Sequence, residues 1–111
     1  MIHELKLQPE PFEAIKAGTK KIECRLFDEK RQRIALGDTL VFKRLPELEE
    51  TVSTEVVGLL RYETFPELFA DFSAGDFGAK DATELTDFIY RIYSKEEEAK
   101  YGVLGIRIEL V

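Results

Sequence analysis

Three stretches of strand character follow one another in the first half of the chain with no helical pattern between them: "TKKIECRL" (19–26), "DTLVFKRL" (38–45) and "TVSTEVVGLLRYE" (51–63). The last is rich in β-branched residues, which fit the pleated surface of a sheet. Parallel neighbours need a long crossover, usually a helix, so a doubly wound sheet needs helices alternating with strands. Here one helix-like segment precedes the whole run. It is "PEPFEAIKAG", which follows a first strand, "IHELKLQ". Pro9 and Pro11 suit only a helix start, where the missing amide hydrogen is not needed. Phe12 and Ile15 share a face, and Gly18 is placed to end the helix in a left-handed conformation.

The second half changes character. "FPELFADF" begins with a helix-compatible proline, and "SAGDFGAKDA" reads as a loop. In "TELTDFIYRIY", Leu85, Phe88, Ile89 and Ile92 fall at i, i+3, i+4 and i+7, the strongest helical period in the chain. Asp81 followed by Glu84 resembles a capping box. "SKEEEAKYG" begins a further helical turn that Gly102 can end. "VLGIRIEL" closes the chain as a strand, with Leu104, Ile106, Ile108 and Leu110 in phase and Val103 out of phase. Gly58, inside the long strand, signals a bulge or a close backbone approach. The order is strand, helix, three strands, helices, strand. It predicts a mixed α/β, mainly β fold: a small β-barrel with flanking helices, one domain over residues 1–111.

Composition narrows the function. An apolar share of 44%, with 8 Phe and 4 Tyr, supplies one core. No segment approaches the ~20 apolar residues of a membrane helix, and the N-terminus lacks the pattern of a secretory signal. The expected location is therefore cytoplasmic, with no membrane partner. One cysteine, Cys24, excludes an intrachain disulfide, and one histidine, His3, leaves too few ligands for a zinc site of N/S type. Histidine-dependent nucleophile arrangements would all rest on His3, which has no supporting neighbours in the sequence. No metal and no cofactor are expected.

The net charge of −6 is unevenly spread. Residues 1–44 carry ten Lys/Arg against seven Asp/Glu, and residues 45–111 carry six against fifteen. The first part holds a local basic region: Lys20, Lys21, Arg25, Lys30, Arg31, Arg33, Lys43 and Arg44. Local positive charge matters more to phosphate binding than the total. Within that region, alternation puts Ile22, Cys24 and Leu26 on one face of a strand, and Lys21, Glu23 and Arg25 on the other. Lys20 sits at the strand's mouth, just past Gly18. Taken alone, such a face is most often the solvated side of an outer strand, with loosely paired charges.

The pattern "AIKAGTKKIECRL" followed by "IALGDTLVF" resembles the ASCH domains, a family with a PUA-like barrel. The resemblance rests on Gly18, Lys20, Glu23, Arg25, Gly37 and Asp38, and extends to "HELKLQPEPFEAI" and "YGVLGIRIEL". It implies a PUA-like β-barrel and a cleft where the charged strand meets the helical segment. It also implies binding of RNA, or of a nucleotide or nucleoside, read by Lys20, Glu23 and Arg25, with Lys21, Lys30, Arg31 and Arg33 adding phosphate attraction. An alternative that it carries is metal-independent hydrolysis, on RNA or on a modified nucleoside as in the bacterial acetylcytidine amidohydrolases. In that case Lys20 would be the activating group and Glu23 the base for water. Glu23 stands where those enzymes carry a threonine, and Thr19 does not match it. Their later carboxylate would be Asp76, Asp81 or Glu84. A bound base also needs a stacking partner. Phe27, Tyr62, Phe72, Phe77, Tyr90 and Tyr93 are available, with core packing the default for each and Phe27 and Phe77 the best loop candidates.

Overall fold

The computed structural model describes residues 1–111. Its elements are β1 (Ile2–Leu7), α1 (Pro9–Lys16), β2 (Ile22–Leu26), β3 (Thr39–Arg44), β4 (Thr51–Tyr62), α2 (Phe65–Ala70), α3 (Ala82–Ile92), α4 (Lys95–Tyr101) and β5 (Val103–Leu110). Two short 3-10 turns, Arg31–Arg33 and Ala74–Phe77, lie in segments expected to be loops. The five strands form one sheet in the order β1-β3-β4-β5-β2. Only β1 and β3 are parallel, joined through α1 and β2, while the other neighbours are antiparallel. The sheet curls so far that its two edges, β1 and β2, approach each other. The Arg25 guanidinium on β2 donates to the Lys6 carbonyl on β1 at 3.0 Å. The expected barrel is thus a half-barrel whose seam is bridged by a side chain instead of a ladder.

Two apolar clusters fill it. The first lies inside the curl, where Leu5, Leu7, Leu40, Phe42, Val56, Leu104, Ile106 and Ile108 meet Phe12 and Ile15 of α1. The spacing of Phe12 and Ile15 turns one face of α1 inward, so the helix stoppers the half-barrel. The second lies on the outer face of β2, where Ile22, Cys24 and Leu26 pack on Phe65, Leu68 and Phe69 of α2 and on Leu85 and Ile89 of α3. Val103 belongs to this second cluster, which explains why it breaks the phase of its strand. Gly105 is needed there, since a Cβ at that position would stand 3.0 Å from the Leu68 side chain.

The helical layer is tied down by polar contacts at its ends. Asp81 caps α3 by accepting from the Glu84 amide at 2.8 Å, but the complete reciprocal capping box is Ser94 with Glu97 at the start of α4. Buried Glu98 on α4 accepts from the Phe65 amide at 2.8 Å and the Tyr90 hydroxyl at 2.7 Å. One carboxylate therefore joins α4, α3 and the N-terminus of α2, where the helix dipole also favours negative charge. Burial first, and then this bond, push the Tyr90 phenol up to about 12. Asp38, of the Gly-Asp turn, accepts from the Ala35 amide and pairs with His3 at 2.8 Å and with the Met1 amino group, pinning β1 beside β3. The His3 contact first and the Ala35 amide second hold its carboxyl down at about 2.

Replacing Glu98 by Ala leaves the Phe65 N–H and the Tyr90 O–H unpaired in a buried site. The expected loss is about 3 kcal/mol, against about 1 kcal/mol for Tyr90→Phe, which leaves the carboxylate its amide bond. Urea unfolding of both variants tests this, and a Glu98→Ala loss no larger than that of Tyr90→Phe would refute it.

Candidate functional site

Both faces of β2 are covered, so its charges have no solvated side. Glu23 is 3% exposed and faces the seam. Its Oε1 lies 2.9 Å from Lys20 Nζ, and its Oε2 takes both Arg25 Nε and Arg25 Nη2 at 2.8 Å. Burial would raise the Glu23 pKa, but the charges of Lys20 and Arg25 and their hydrogen bonds outweigh it and hold the carboxyl at about 2. Burial likewise works against the Arg25 charge, and Glu23 more than offsets it, so the Arg25 pKa is raised. The Cys24 thiol is pushed up to about 12, first by burial, and is a small core side chain with no reactive character.

Local backbone geometry sets this trio. Gly18, at φ 81°, ends α1 with a Schellman pattern: Gly18 N–H donates to Ile15 C=O at 2.9 Å and Thr19 N–H to Ala14 C=O at 3.0 Å. Lys20 N–H also donates to Ala14 C=O, at 3.1 Å. The chain thereby turns Lys20 inward beneath Gly78, whose φ is 82° and where a Cβ would stand 3.4 Å from the Lys20 stem. The next residue is held in the opposite sense. Lys21 N–H donates to Asp76 C=O and Lys21 C=O accepts from the Ile108 amide, while its side chain is exposed. Lys20, not Lys21, therefore joins Glu23 and Arg25.

The trio forms the floor of a cleft of about 430 Å³ between the seam and α3. Its walls include Gln8 and Pro11 of α1, Phe69, Phe77, Leu85, Ile89 and Tyr93. Phe88 and Ile92 line it too, at 40% and 52% exposure. Two of the four periodic residues of α3 thus face the cleft instead of the core. Glu84 is the only one of the three expected carboxylates that lines it. Asp81 is the cap described above, and Asp76 uses its backbone carbonyl to hold Lys21.

The remaining expected residues lie elsewhere. Lys30 and Arg33 are exposed outside the cleft, and Arg31 pairs with Asp28 at 3.0 Å. Phe77 is buried, edge-on to Phe69 at 5.1 Å, so it shapes the cleft wall and is no loop residue free to stack. Phe27 is capped by the Arg61 guanidinium, 3.5 Å from its ring centre. Tyr62 bonds Asp71, Tyr90 bonds Glu98, and Phe72 packs on Phe77. Tyr93 lines the cleft beside Arg25 and stacks on Phe65 at 5.7 Å, and burial first raises its pKa. The sequence reading missed Gln8, Pro11, Gly78 and Phe88 as cleft residues. The second glycine of "AGDFGAK" was the one local signal for Gly78, and the others required the curl of the sheet.

A half-barrel carrying its charged strand beside a helical wall is the arrangement of a PUA-like domain. The chain belongs to the ASCH domain family, whose profile matches residues 5–111. It is 37% identical to the hypothetical protein PH0355, with a TM-score of 0.88 and all of both chains covered. It is 35% identical to a protein from Pyrococcus furiosus solved by NMR, with a TM-score of 0.77, covering 100% of this chain and 98% of that one. An ASCH protein from Zymomonas mobilis shares the fold at 15% identity and a TM-score of 0.64, covering 97% of this chain and 66% of that one. None of the curated proteins matches the chain.

The Glu23 carboxyl has a folded pKa of about 2 against an ordinary 4.5. A depressed carboxyl stabilises the fold fully above its unfolded pKa, and that contribution is lost as pH falls from about 4.5 to about 2. The shift corresponds to about 3 kcal/mol. Glu23→Gln, which mimics the protonated group, is expected to cost about that much at pH 7 and almost nothing relative to the parent near pH 2. Urea unfolding of both proteins at pH 7, 4 and 3 tests this; a gap between them that stays constant with pH removes the assignment.

Proposed function

We propose that the protein binds single-stranded RNA by taking one nucleotide into the seam cleft. The observation that carries this reading is the donor inventory of the floor. Lys20 has three N–H groups, of which Glu23 takes one, and Arg25 has five, of which Glu23 takes two, the Lys6 carbonyl one and Tyr93 one. Three spare donors thus surround a carboxylate whose two oxygens are already engaged. Such a floor suits a ligand rich in acceptors, either a phosphate or the carbonyl edge of a base. The trio's net charge is positive, although the chain as a whole is at −6. The cleft volume of about 430 Å³ is within the range of small-molecule sites, and apolar walls with an exposed Phe88 at the mouth suit an unstacked base. Lys30 and Arg33, exposed outside the cleft, would add attraction without selectivity.

Metal-independent hydrolysis of RNA or of a modified nucleoside is the weaker reading. An effective general base needs a pKa near the working pH. A carboxyl held at about 2 and bonded on both oxygens is a poor acceptor for a water proton. Lys20 and Glu84, which line the same cleft, would have to carry any such chemistry.

Anisotropy titration of short labelled single strands at low and moderate salt tests the binding reading. Lys20→Ala is expected to weaken binding about tenfold, consistent with one lost charge-assisted contact. Lys30→Ala and Arg33→Ala should mainly reduce the dependence on salt. Absence of binding at low salt, or an unchanged affinity in Lys20→Ala, would sink the proposal.

A further inference from the structure

Lys20 is a wall shared by two cavities. On its far side from the cleft lies a second pocket, of about 370 Å³, bounded also by Lys21, Val57, Arg107, Glu109 and Leu110. Its cations are fixed by the fold. The ladder between β4 and β5 slips at Val57, and Gly58 is set opposite Arg107. A Cβ on Gly58 would stand 2.9 Å from Arg107 Cδ, so the Arg107 stem lies flat across bare glycine backbone. Its guanidinium lies at the pocket's edge, 5.9 Å from the Phe72 ring, which lines neither cavity. Lys21 is held through both of its backbone groups, to Asp76 and Ile108. Neither Lys21 nor Arg107 is paired with a carboxylate, whereas Lys16, Lys20, Arg25, Arg31, Lys43 and Arg44 all are. Even with Glu109 present, this pocket is bordered by two cations without a carboxylate partner, Lys21 with an exposed side chain and Arg107 with its stem on Gly58, one residue away from the cleft.

We propose that this second pocket holds the phosphate adjoining the nucleotide in the cleft, so that the ligand is a continuous strand and not a free nucleotide. The inference rests on the cleft reading above and goes beyond it by giving the strand a direction across the molecule, past Lys20 and along the end of β5. A ligand reaching both cavities must be extended, because Lys20 borders both. Lys21, expected from the sequence to add phosphate attraction beside Lys30, Arg31 and Arg33, is thereby given a defined pocket.

The test uses the full chain as wild type, Lys21→Ala, Arg107→Gln and the double variant. Glutamine retains part of the stem that crosses Gly58. Each protein is titrated with a labelled mixed-sequence RNA decamer by anisotropy and with the four nucleoside 5′-monophosphates by calorimetry. The expected result is a decamer affinity about tenfold weaker in the double variant, with the slope against log salt reduced by about 0.7 per cation removed, and unchanged mononucleotide affinity. A decamer affinity that ignores both substitutions overturns the inference and leaves the cleft reading standing. Equal losses for decamer and mononucleotides overturn it too, since the two cations would then belong to the cleft. A wild-type protein that binds neither probe removes both readings together. Unchanged thermal unfolding of these surface variants shows that the losses are not unfolding.

Discussion

The Glu23 carboxylate, enclosed between Lys20 and Arg25, is the interaction on which the rest of the arrangement depends. A buried ion cluster is no guarantee of stability, because desolvation of the charges offsets much of their attraction. Here it has a geometric role instead. Arg25 bonds Glu23 on its own strand and the Lys6 carbonyl on β1, so the same guanidinium orders the site and spans the open seam. Lys20 reaches the carboxylate only because α1 ends at Gly18 in a left-handed turn. Removing the carboxylate would leave two cations facing each other in a poorly hydrated space, a cost of several kcal/mol in comparable cases. The order of the charged trio and the closure of the seam are therefore coupled through one side chain.

The element order was legible because each signal was local. Periodicity marked the strands and α3, prolines marked the starts of α1 and α2, and Gly18 and Gly102 marked helix ends. The split of β2 into Ile22, Cys24 and Leu26 against Glu23 and Arg25 was also legible, since alternation is a property of one strand. What lay against each face was not. A strand covered on both sides reads in sequence like one with a solvated side, and only the curl of the sheet decides between them. The same holds for α3, whose four periodic residues all line the cleft while only Leu85 and Ile89 also join the core. Lys20 and Lys21 are neighbours with the same side chain, and the turn after α1 sends one inward and the other out. No periodicity encodes that choice. The loop aromatics failed for a related reason: Phe27 and Phe77 sit in irregular segments that are nonetheless packed.

The charge distribution has a similar two-level character. The chain is acidic overall, yet the cleft floor and the neighbouring pocket are locally positive. Repulsion from the acidic surface disfavours long, non-specific contact with a polyanion, while short-range donors in the cleft act over a few ångströms, where screening is weak. Under the binding reading proposed above, such a surface would favour a short, shaped engagement over coating of a long tract.

The strand order has a consequence for how the site comes into being. The only ladder partner of β2 is β5, which occupies residues 103–110, while β1 pairs with β3. Lys20, Glu23 and Arg25 are therefore made early, but the strand that aligns them is made last. During synthesis the charged segment has no sheet to join until β5 has emerged, and pairings of such long sequence separation form slowly. The cleft floor is aligned only once residues 22–26 have paired with residues 103–107.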